Sequence, residues 1–252
     1  MRSLTIRVFV ALVAFNIGIV AAAVWPFELP RKSESTSTQN LQSESQKRSA
    51  EILRVLLPND TWADVNQLDR FDRVEEIAVL KEAQVEAKGE RAVSIAFLLA
   101  VLESDYAANR TRLFDALQEC GSKAYPEEAE CTYFVAEYLM ELCRRGDYFL
   151  LGVLFDMSKK ADGAFSESLG GFYSDMLYVH PDRFLRTLSI YSKDKQRDLC
   201  AAAAIEDGGG MAEDRFRTIH RSLDDIFDTS LRGVARKCSV GLEIGYKQAH
   251  ER

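Results

Sequence analysis

The residues of this chain with the most evident chemical reactivity are its five cysteines: Cys120, Cys131, Cys143, Cys200 and Cys238. They include no C-x-x-C pair, so they lack the spacing of structural zinc sites and of thioredoxin-like redox sites. Cys120 and Cys131 stand at the ends of two predicted helices on either side of a short turn, where a disulfide can form if the helices make a hairpin. We predict a Cys120–Cys131 disulfide, with two packed thiols as the alternative. The odd count leaves at least one thiol.

Two histidines and one serine–lysine pair are further candidates for chemistry. His220 lies on an apolar helix face, which favours a hydrogen-bonded core histidine over a ligand. His180 precedes a proline at a helix start, where a capping role is expected. Ser192 and Lys195 form an S-x-x-K pair, but the K-T-G element of penicillin-binding enzymes does not accompany it. The sequence also contains no H-E-x-x-H, G-x-S-x-G or phosphate-loop motif, so it predicts no catalytic residue, no metal ligand and no cofactor.

Four acidic residues flank the triple glycine at positions 208–210: Glu206, Asp207, Glu213 and Asp214. Calcium takes several carboxylate and carbonyl oxygens from a flexible loop, so a cation site is one interpretation. The spacing does not match an EF-hand, and a solvated loop is the preferred interpretation.

The elements that must position these residues are helices, because apolar residues recur at helical spacing, for example over 131–142 and 165–176. Apolar positions of successive first helices align at spacings of 36, 36 and 35 residues: Ile77, Leu113, Phe149 and Phe184. Those of the second helices align at spacings of 36 and 35: Leu98, Phe134 and Leu169. A period in the mid-thirties with two helices per unit is typical of a helical solenoid.

In period and helix pairing, residues 72–207 resemble the α-solenoid class, which includes tetratricopeptide, HEAT and armadillo-like repeats. The resemblance implies an all-α fold of antiparallel helical hairpins in a right-handed superhelix of about 35-residue units. The units lack the Trp, Leu-Gly and Tyr pattern of tetratricopeptide repeats. The resemblance therefore implies an architecture and no site residues.

One predicted helix, over residues 72–88, is apolar on two faces instead of one. Val74, Ile77, Ala78 and Val85 lie on one face, and Val79, Leu80 and Ala83 lie on the other. A helix that follows this pattern has two apolar surfaces to cover.

Composition divides the chain into four parts. Two arginines precede an uncharged apolar run, which predicts a signal peptide or an N-terminal membrane anchor over residues 1–25. Residues 26–49 are rich in Ser and Gln and are predicted to be a flexible linker. Residues 50–236 form the predicted all-helical repeat domain. The tail, residues 237–252, alternates apolar and other residues from Val240 to Tyr246, which predicts a short strand.

The charge of the chain and its predicted export limit the kinds of function that we expect. The formal net charge is −7 and the N-terminal segment is basic, so the body is acidic and duplex nucleic acid is not an expected partner. Either reading of the N-terminus places the body outside the cytoplasm, as a periplasmic, secreted or membrane-anchored protein. We predict a scaffold that binds a protein or a peptide, because solenoids present extended surfaces. The alternatives are an envelope hydrolase that uses carboxylates in the concave face, and a structural subunit of an envelope complex.

Overall fold

The chain divides into two units, Met1–Ser43 and Glu44–Arg252, of which the first is described at its last residues alone. The computed structural model describes residues 35–59, 62–64, 67, 68, 70–123, 127–161, 163–206 and 209–251. The predicted signal peptide or anchor at 1–25 lies outside the described residues.

The described part of the chain is helical, as predicted, and contains eleven α-helices. They are α1 (Ser35–Leu56), α2 (Arg73–Glu86), α3 (Gly89–Glu103), α4 (Tyr106–Cys120), α5 (Glu127–Arg144), α6 (Leu150–Met157), α7 (Gly163–Val179), α8 (Pro181–Leu188), α9 (Lys193–Ala202), α10 (Glu213–Asp224) and α11 (Arg232–His250). Between α9 and α10, two short segments pair antiparallel: β1 (Ile205–Glu206) and β2 (Gly209–Gly210).

Side-chain caps fix where several helices begin. At the start of α2, Asp72 Oδ1 accepts hydrogen bonds from the backbone N–H groups of Val74 (2.9 Å) and Glu75 (3.2 Å). At the start of α9, Ser192 Oγ accepts one from the N–H of Lys195 (3.3 Å). These N–H groups have no partner within the helix, and each such cap contributes about 0.5–2 kcal/mol.

The helices pack in a regular series. From α2 to α6 each helix contacts the next, and alternate helices also contact each other: α3 with α5, α5 with α7, α7 with α9, and α9 with α11. One apolar core runs through the series, and its largest fully buried side chains include Phe97, Phe155, Phe172, Tyr173 and Phe184. In this series, α2 and α11 stand at opposite ends.

Helix α11 occupies the tail in which the sequence predicts a short strand, so the strand prediction is wrong. The alternation of apolar and other residues in the tail has the period of a strand, but two of its apolar members, Val240 and Ile244, are exposed. In this stretch α11 buries Leu242 together with the small residues Ser239, Gly241 and Gly245. Tertiary packing has therefore decided the secondary structure against the local pattern.

Two glycines of α11 explain that outcome. Gly241 and Gly245 lie one turn apart and face the backbone of α9. A Cβ atom at either position would overlap a carbonyl group of α9, that of Arg197 or that of Ala201. Such close approach of two backbones requires glycine at both positions and requires a helical spacing between them.

Helix α1 begins at Ser35, well before Ser49, where the predicted flexible linker ends. Its first half is polar but contains Gln and Glu, which lose little side-chain freedom in a helix. Its second half is held by Ile52 and Leu56, which are fully buried. A helix that is anchored at one end extends at low cost, because nucleation has already occurred.

Across the described ranges, no helix combines the length and the apolar content that a membrane crossing requires.

Candidate functional site

A groove between α10 and α11, with a volume of about 660 Å³, brings together aromatic rings, an imidazole, cations and carboxylates. We call it the C-terminal groove. Its lining residues are Phe216, Arg217, His220, Arg221 and Asp224 from α10, and Glu243, Tyr246 and Lys247 from α11. The fold positions them because α10 buries Ile219 and Leu223 in the core, which leaves the adjacent face of the helix turned towards α11.

Aromatic rings form the apolar part of the groove. Phe216 and Tyr246 are stacked, with ring centroids 4.3 Å apart, and both are half-buried. Tyr246 also lies against His250, with centroids 4.1 Å apart. Rings that are held in place but partly exposed offer a large rigid contact area at low entropic cost.

His220 connects the two helices that form the groove. Its Nε2 atom lies 2.8 Å from Ser239 Oγ and 3.0 Å from Glu243 Oε1, both on α11. Its Nδ1 atom lies 3.4 Å from Asp224 Oδ2 on α10. The sequence predicts a hydrogen-bonded core histidine here; His220 is hydrogen-bonded, but it borders a groove and is half-buried.

The atoms of Ser239, His220 and Asp224 follow the order nucleophile, base and orienting carboxylate of acyl-transfer enzymes. Two features make this cluster unsuited to that chemistry. Glu243 competes with Ser239 for the same ring nitrogen. Ser239 also lies inside α11, where the backbone N–H groups bond within the helix and cannot form an oxyanion hole. The arrangement therefore fits a polar clamp between the helices.

Charged side chains of both signs border the groove. Arg217 Nη2 lies 2.5 Å from Glu213 Oε1, so its charge is matched locally. Arg221 and Lys247 are exposed and take part in no ion pair within the described residues. Asp224 and Glu243 line the same groove, so its aromatic surface is bordered by both cations and carboxylates.

The cysteines form two disulfides in the described chain. Cys120 and Cys131 are bonded, with Cα atoms 5.5 Å apart, and this bond joins the end of α4 to the start of α5. Cys200 and Cys238 are bonded, with Cα atoms 5.1 Å apart, and join α9 to α11. Cys143 is a buried thiol, and burial raises its pKa to about 12. Two disulfides point to an oxidising environment outside the cytoplasm.

The serine and lysine of the S-x-x-K pair do not act together. Ser192 Oγ caps α9, whereas Lys195 Nζ points to Asp156 Oδ1, at 2.8 Å. The hydrogen bond from Lys195 lowers the pKa of Asp156. Lys195 also lies over the ring of Tyr191, with Nζ 4.3 Å from the ring centroid. Both side chains therefore serve the packing of α9.

The remaining predicted site residues are dispersed. His180 occupies the position before α8, but its side chain makes no cap, and its Nε2 atom lies 3.1 Å from the hydroxyl of Tyr148. Of the acids around the triple glycine, Glu213 pairs with Arg217 and Asp214 accepts a hydrogen bond from the N–H of Arg215. Within the described residues no three His, Cys, Asp or Glu side chains converge as a metal site would require.

Sequence reasoning missed the C-terminal groove. It singled out His220 but assigned Ser239, Glu243 and Tyr246 to a tail with a short strand. Helical spacing places Ser239, Glu243 and Tyr246 on one face of α11, since they are separated by four and three residues. That spacing was the signal that could have revealed the groove.

No protein-family model, no curated protein and no solved structure matches this chain.

Proposed function

We propose that this chain is an exported helical-repeat protein that binds another protein or a peptide. Its architecture in this proposal is an α-solenoid: antiparallel helical hairpins of about 35 residues wound in a right-handed superhelix. The contacts of α3 with α5, α5 with α7, α7 with α9 and α9 with α11 support it, because helices in equivalent places of successive repeats stack in this way.

Polar contacts between helices support the same architecture, because they join residues one repeat apart. Arg110 Nη2 lies 2.6 Å from Asp147 Oδ1, and these residues are 37 positions apart. The hydroxyl of Tyr191 donates to the carbonyl of Gly152 (3.0 Å) across 39 positions. In a solenoid each repeat contacts its neighbours, so separations near one repeat length are expected.

Export is proposed from two features of the chain. The uncharged N-terminal run that follows two arginines has the composition of a signal peptide or an anchor. The two disulfides, Cys120–Cys131 and Cys200–Cys238, are of the kind that persists in oxidising compartments.

The main support for a binding function is the C-terminal groove. Phe216 and Tyr246 present partly exposed stacked rings, and Arg221 and Lys247 add unmatched charge beside them. Aromatic and arginine side chains dominate the energetic centres of protein interfaces. An open groove of about 660 Å³ between two helices is wide enough to take side chains of a partner.

The envelope hydrolase with carboxylates in the concave face is a weaker proposal. Three inter-helix carboxylates are each matched by a cation: Asp147 by Arg110, Asp156 by Lys195 and Asp175 by Arg215. A general acid needs a raised pKa, and that of Asp156 is lowered by its lysine partner. A structural subunit of an envelope complex differs from a scaffold in the permanence of its partner.

The experiment is a crosslinked pull-down from native envelopes, followed by mass spectrometry. It compares the wild-type chain with Tyr246→Ala and with a control, Tyr178→Ala, which removes an exposed tyrosine outside the groove. We expect one or a few proteins to be retained by the wild type and by the control, and to be lost with Tyr246→Ala. Equal retention by all three chains, or no retained protein, would overturn the proposal.

A further inference from the structure

The imidazole of His220 contacts a carboxylate at each of its two nitrogen atoms. Nδ1 lies 3.4 Å from Asp224 Oδ2 in α10, and Nε2 lies 3.0 Å from Glu243 Oε1 in α11. An ionised carboxylate accepts hydrogen bonds and cannot donate one. The neutral ring has a single N–H group, so the ring donates to both residues only as the cation, which carries a proton on each nitrogen.

The hydroxyl of Ser239 offers the same ring nitrogen a different contact. Its Oγ lies 2.8 Å from Nε2 of His220, and a hydroxyl donates as well as accepts. A neutral ring that holds its proton on Nδ1, against Asp224, leaves Nε2 as an acceptor. That acceptor suits the hydroxyl of Ser239 and repels the carboxylate of Glu243. The protonation state of His220 therefore decides which residue of α11 it binds.

The cations next to the two carboxylates support the cationic ring. Lys247 follows Glu243 by four positions on α11, a spacing at which opposite charges pair on a helix. Arg221 precedes Asp224 by three positions on α10, a second such spacing. Neither pair forms within the described residues, because both carboxylates lie against the imidazole instead. This is the arrangement expected around a positively charged ring.

The other charged groups that face α10 are engaged elsewhere. Helices α7 and α8 also contact α10, but their charged groups there pair with residues other than His220. Tyr246, a further titratable residue of α11 in the groove, stacks on Phe216. The competing ion pairs are Arg217 with Glu213, Arg215 with Asp175 of α7, and Arg186 of α8 with Asp228.

We propose that His220 is a pH-sensitive switch of the C-terminal groove, in which protonation of the ring moves its Nε2 contact from Ser239 to Glu243. Histidine is the side chain that ordinarily changes charge between about pH 5 and pH 8. At the acidic end of this range the imidazolium binds Asp224 and Glu243 and ties α10 to α11. At the alkaline end Ser239 donates to Nε2, and Glu243 is released towards Lys247.

The switch changes the charge that the groove presents to a ligand. At acidic pH His220 holds Glu243, so Lys247 remains unmatched beside the aromatic rings. At alkaline pH Glu243 pairs with Lys247, and the groove loses this free cation and the charge of the imidazolium. The inference rests on the proposed function in taking the groove as the binding surface, and it adds that binding there responds to pH.

The test is a pair of double-mutant cycles on the urea unfolding of the purified full-length protein, at about pH 5 and at about pH 8.5. One cycle combines His220→Ala with Glu243→Ala, and the other combines His220→Ala with Ser239→Ala. Each cycle isolates the interaction between its two side chains. The control cycle combines His250→Ala with Glu243→Ala, because His250 lies against Tyr246 and forms no ion pair in the described part of the chain.

The coupling of His220 with Glu243 is expected to change the folding equilibrium constant about two- to fivefold at acidic pH and to vanish at alkaline pH. The coupling of His220 with Ser239 is expected to grow as the pH rises, and the control cycle should show no coupling at either pH. A clamp with a purely structural role would give couplings that do not depend on pH. Couplings that stay constant, or that change in the same direction, would overturn the switch.

A second measurement needs no variant. Nitrogen-15 NMR of the wild-type imidazole of His220 reports which ring nitrogen carries a proton. We expect protons on both nitrogens at acidic pH and on Nδ1 alone at alkaline pH. A proton on Nε2 alone at alkaline pH would overturn the inference, since Ser239 could not then donate to that atom.

The switch and the proposed function fail separately. Constant couplings in a chain whose groove still captures another protein would overturn the switch and leave the binding function standing. Couplings that exchange as expected in a chain that captures no protein would support the switch and overturn the binding function.

Discussion

The imidazole of His220 lies between two helices, with Nε2 2.8 Å from the hydroxyl of Ser239 and 3.0 Å from a carboxylate oxygen of Glu243. One ring nitrogen cannot serve both residues as a dedicated partner. Ser239 and Glu243 therefore compete for the same ring nitrogen. His220 links α10 to α11 and lines the C-terminal groove.

The first prediction is that Ser239 is not a nucleophile. A fluorophosphonate probe, which labels activated serines, should leave Ser239 unmodified in intact-mass and peptide analysis. The reason is that the helix around Ser239 offers no free backbone N–H groups to stabilise an oxyanion. Stoichiometric labelling of Ser239 that disappears in His220→Ala would contradict this and would support a hydrolase.

The second prediction concerns pH and the Lys195–Asp156 ion pair. The hydrogen bond from Lys195 lowers the pKa of Asp156 below its ordinary value of 3.8. A lowered folded-state pKa means that the pair stabilises the fold above about pH 4 and loses this effect as the pH falls through the lowered value. Asp156 is 59% exposed, so Asp156→Asn should cost at most about 1 kcal/mol at pH 7.

Urea denaturation at pH 7 and at pH 2 checks the second prediction. At pH 2 the free energies of unfolding of the wild type and of Asp156→Asn should differ less than at pH 7, because protonation of the carboxyl group removes its charge. Asp115→Asn, at an exposed position with no ion pair among the described residues, is the control and should change little at either pH. A difference of equal size at both pH values would show that the charge of Asp156 is not its cause.

The third prediction concerns the close contact of α9 and α11. Gly245→Ala should destabilise the protein by about 1–3 kcal/mol or more, because the added methyl group meets the carbonyl of Ala201. Gly233→Ala in the same helix has open space around its added methyl group and should be neutral or stabilising by up to about 1 kcal/mol. Thermal denaturation of the two variants gives the comparison. Equal midpoints would mean that the helices do not approach as closely as described.

The fourth prediction is that Cys143 is the single titratable thiol. A maleimide should label no cysteine of the native protein, since burial raises the pKa of Cys143 to about 12. After unfolding without reductant it should label Cys143 alone, and after reduction all five cysteines. Full labelling of Cys120 and Cys131 without reductant would contradict the disulfide and weaken the argument for export.

Much of the helical architecture is predictable from the sequence, because each helix buries one stripe at a spacing that local physics fixes. Phe172 and Phe184 are examples: both lie on predicted stripes and both are fully buried. The two-faced character of α2 is predictable for the same reason. The exposed Val74 and Val85 show that the sequence records an apolar surface even where the described residues leave it uncovered.

The C-terminal groove is not predictable in the same way, because it depends on which helices become neighbours. The tail alternates with strand period, and it becomes a helix because Gly241 and Gly245 meet the backbone of α9. The partners of His220 are then set by the pairing of α10 with α11. One of these partners, Ser239, is 19 positions away from His220 in the sequence. The helical spacing of Ser239, Glu243 and Tyr246 indicates a common face of α11, but local patterns do not indicate which helix pairs with that face.

The central claim is that the C-terminal groove binds a protein. The most direct measurement places a photo-crosslinking amino acid at position 217, on the border of the groove, and at position 160, on an exposed surface elsewhere, in cells that export the protein. If the groove binds a protein, an adduct with a defined protein is expected at position 217, identified by mass spectrometry, and no such adduct is expected at position 160. An adduct pattern that is the same at both positions, or no adduct at position 217, would contradict it.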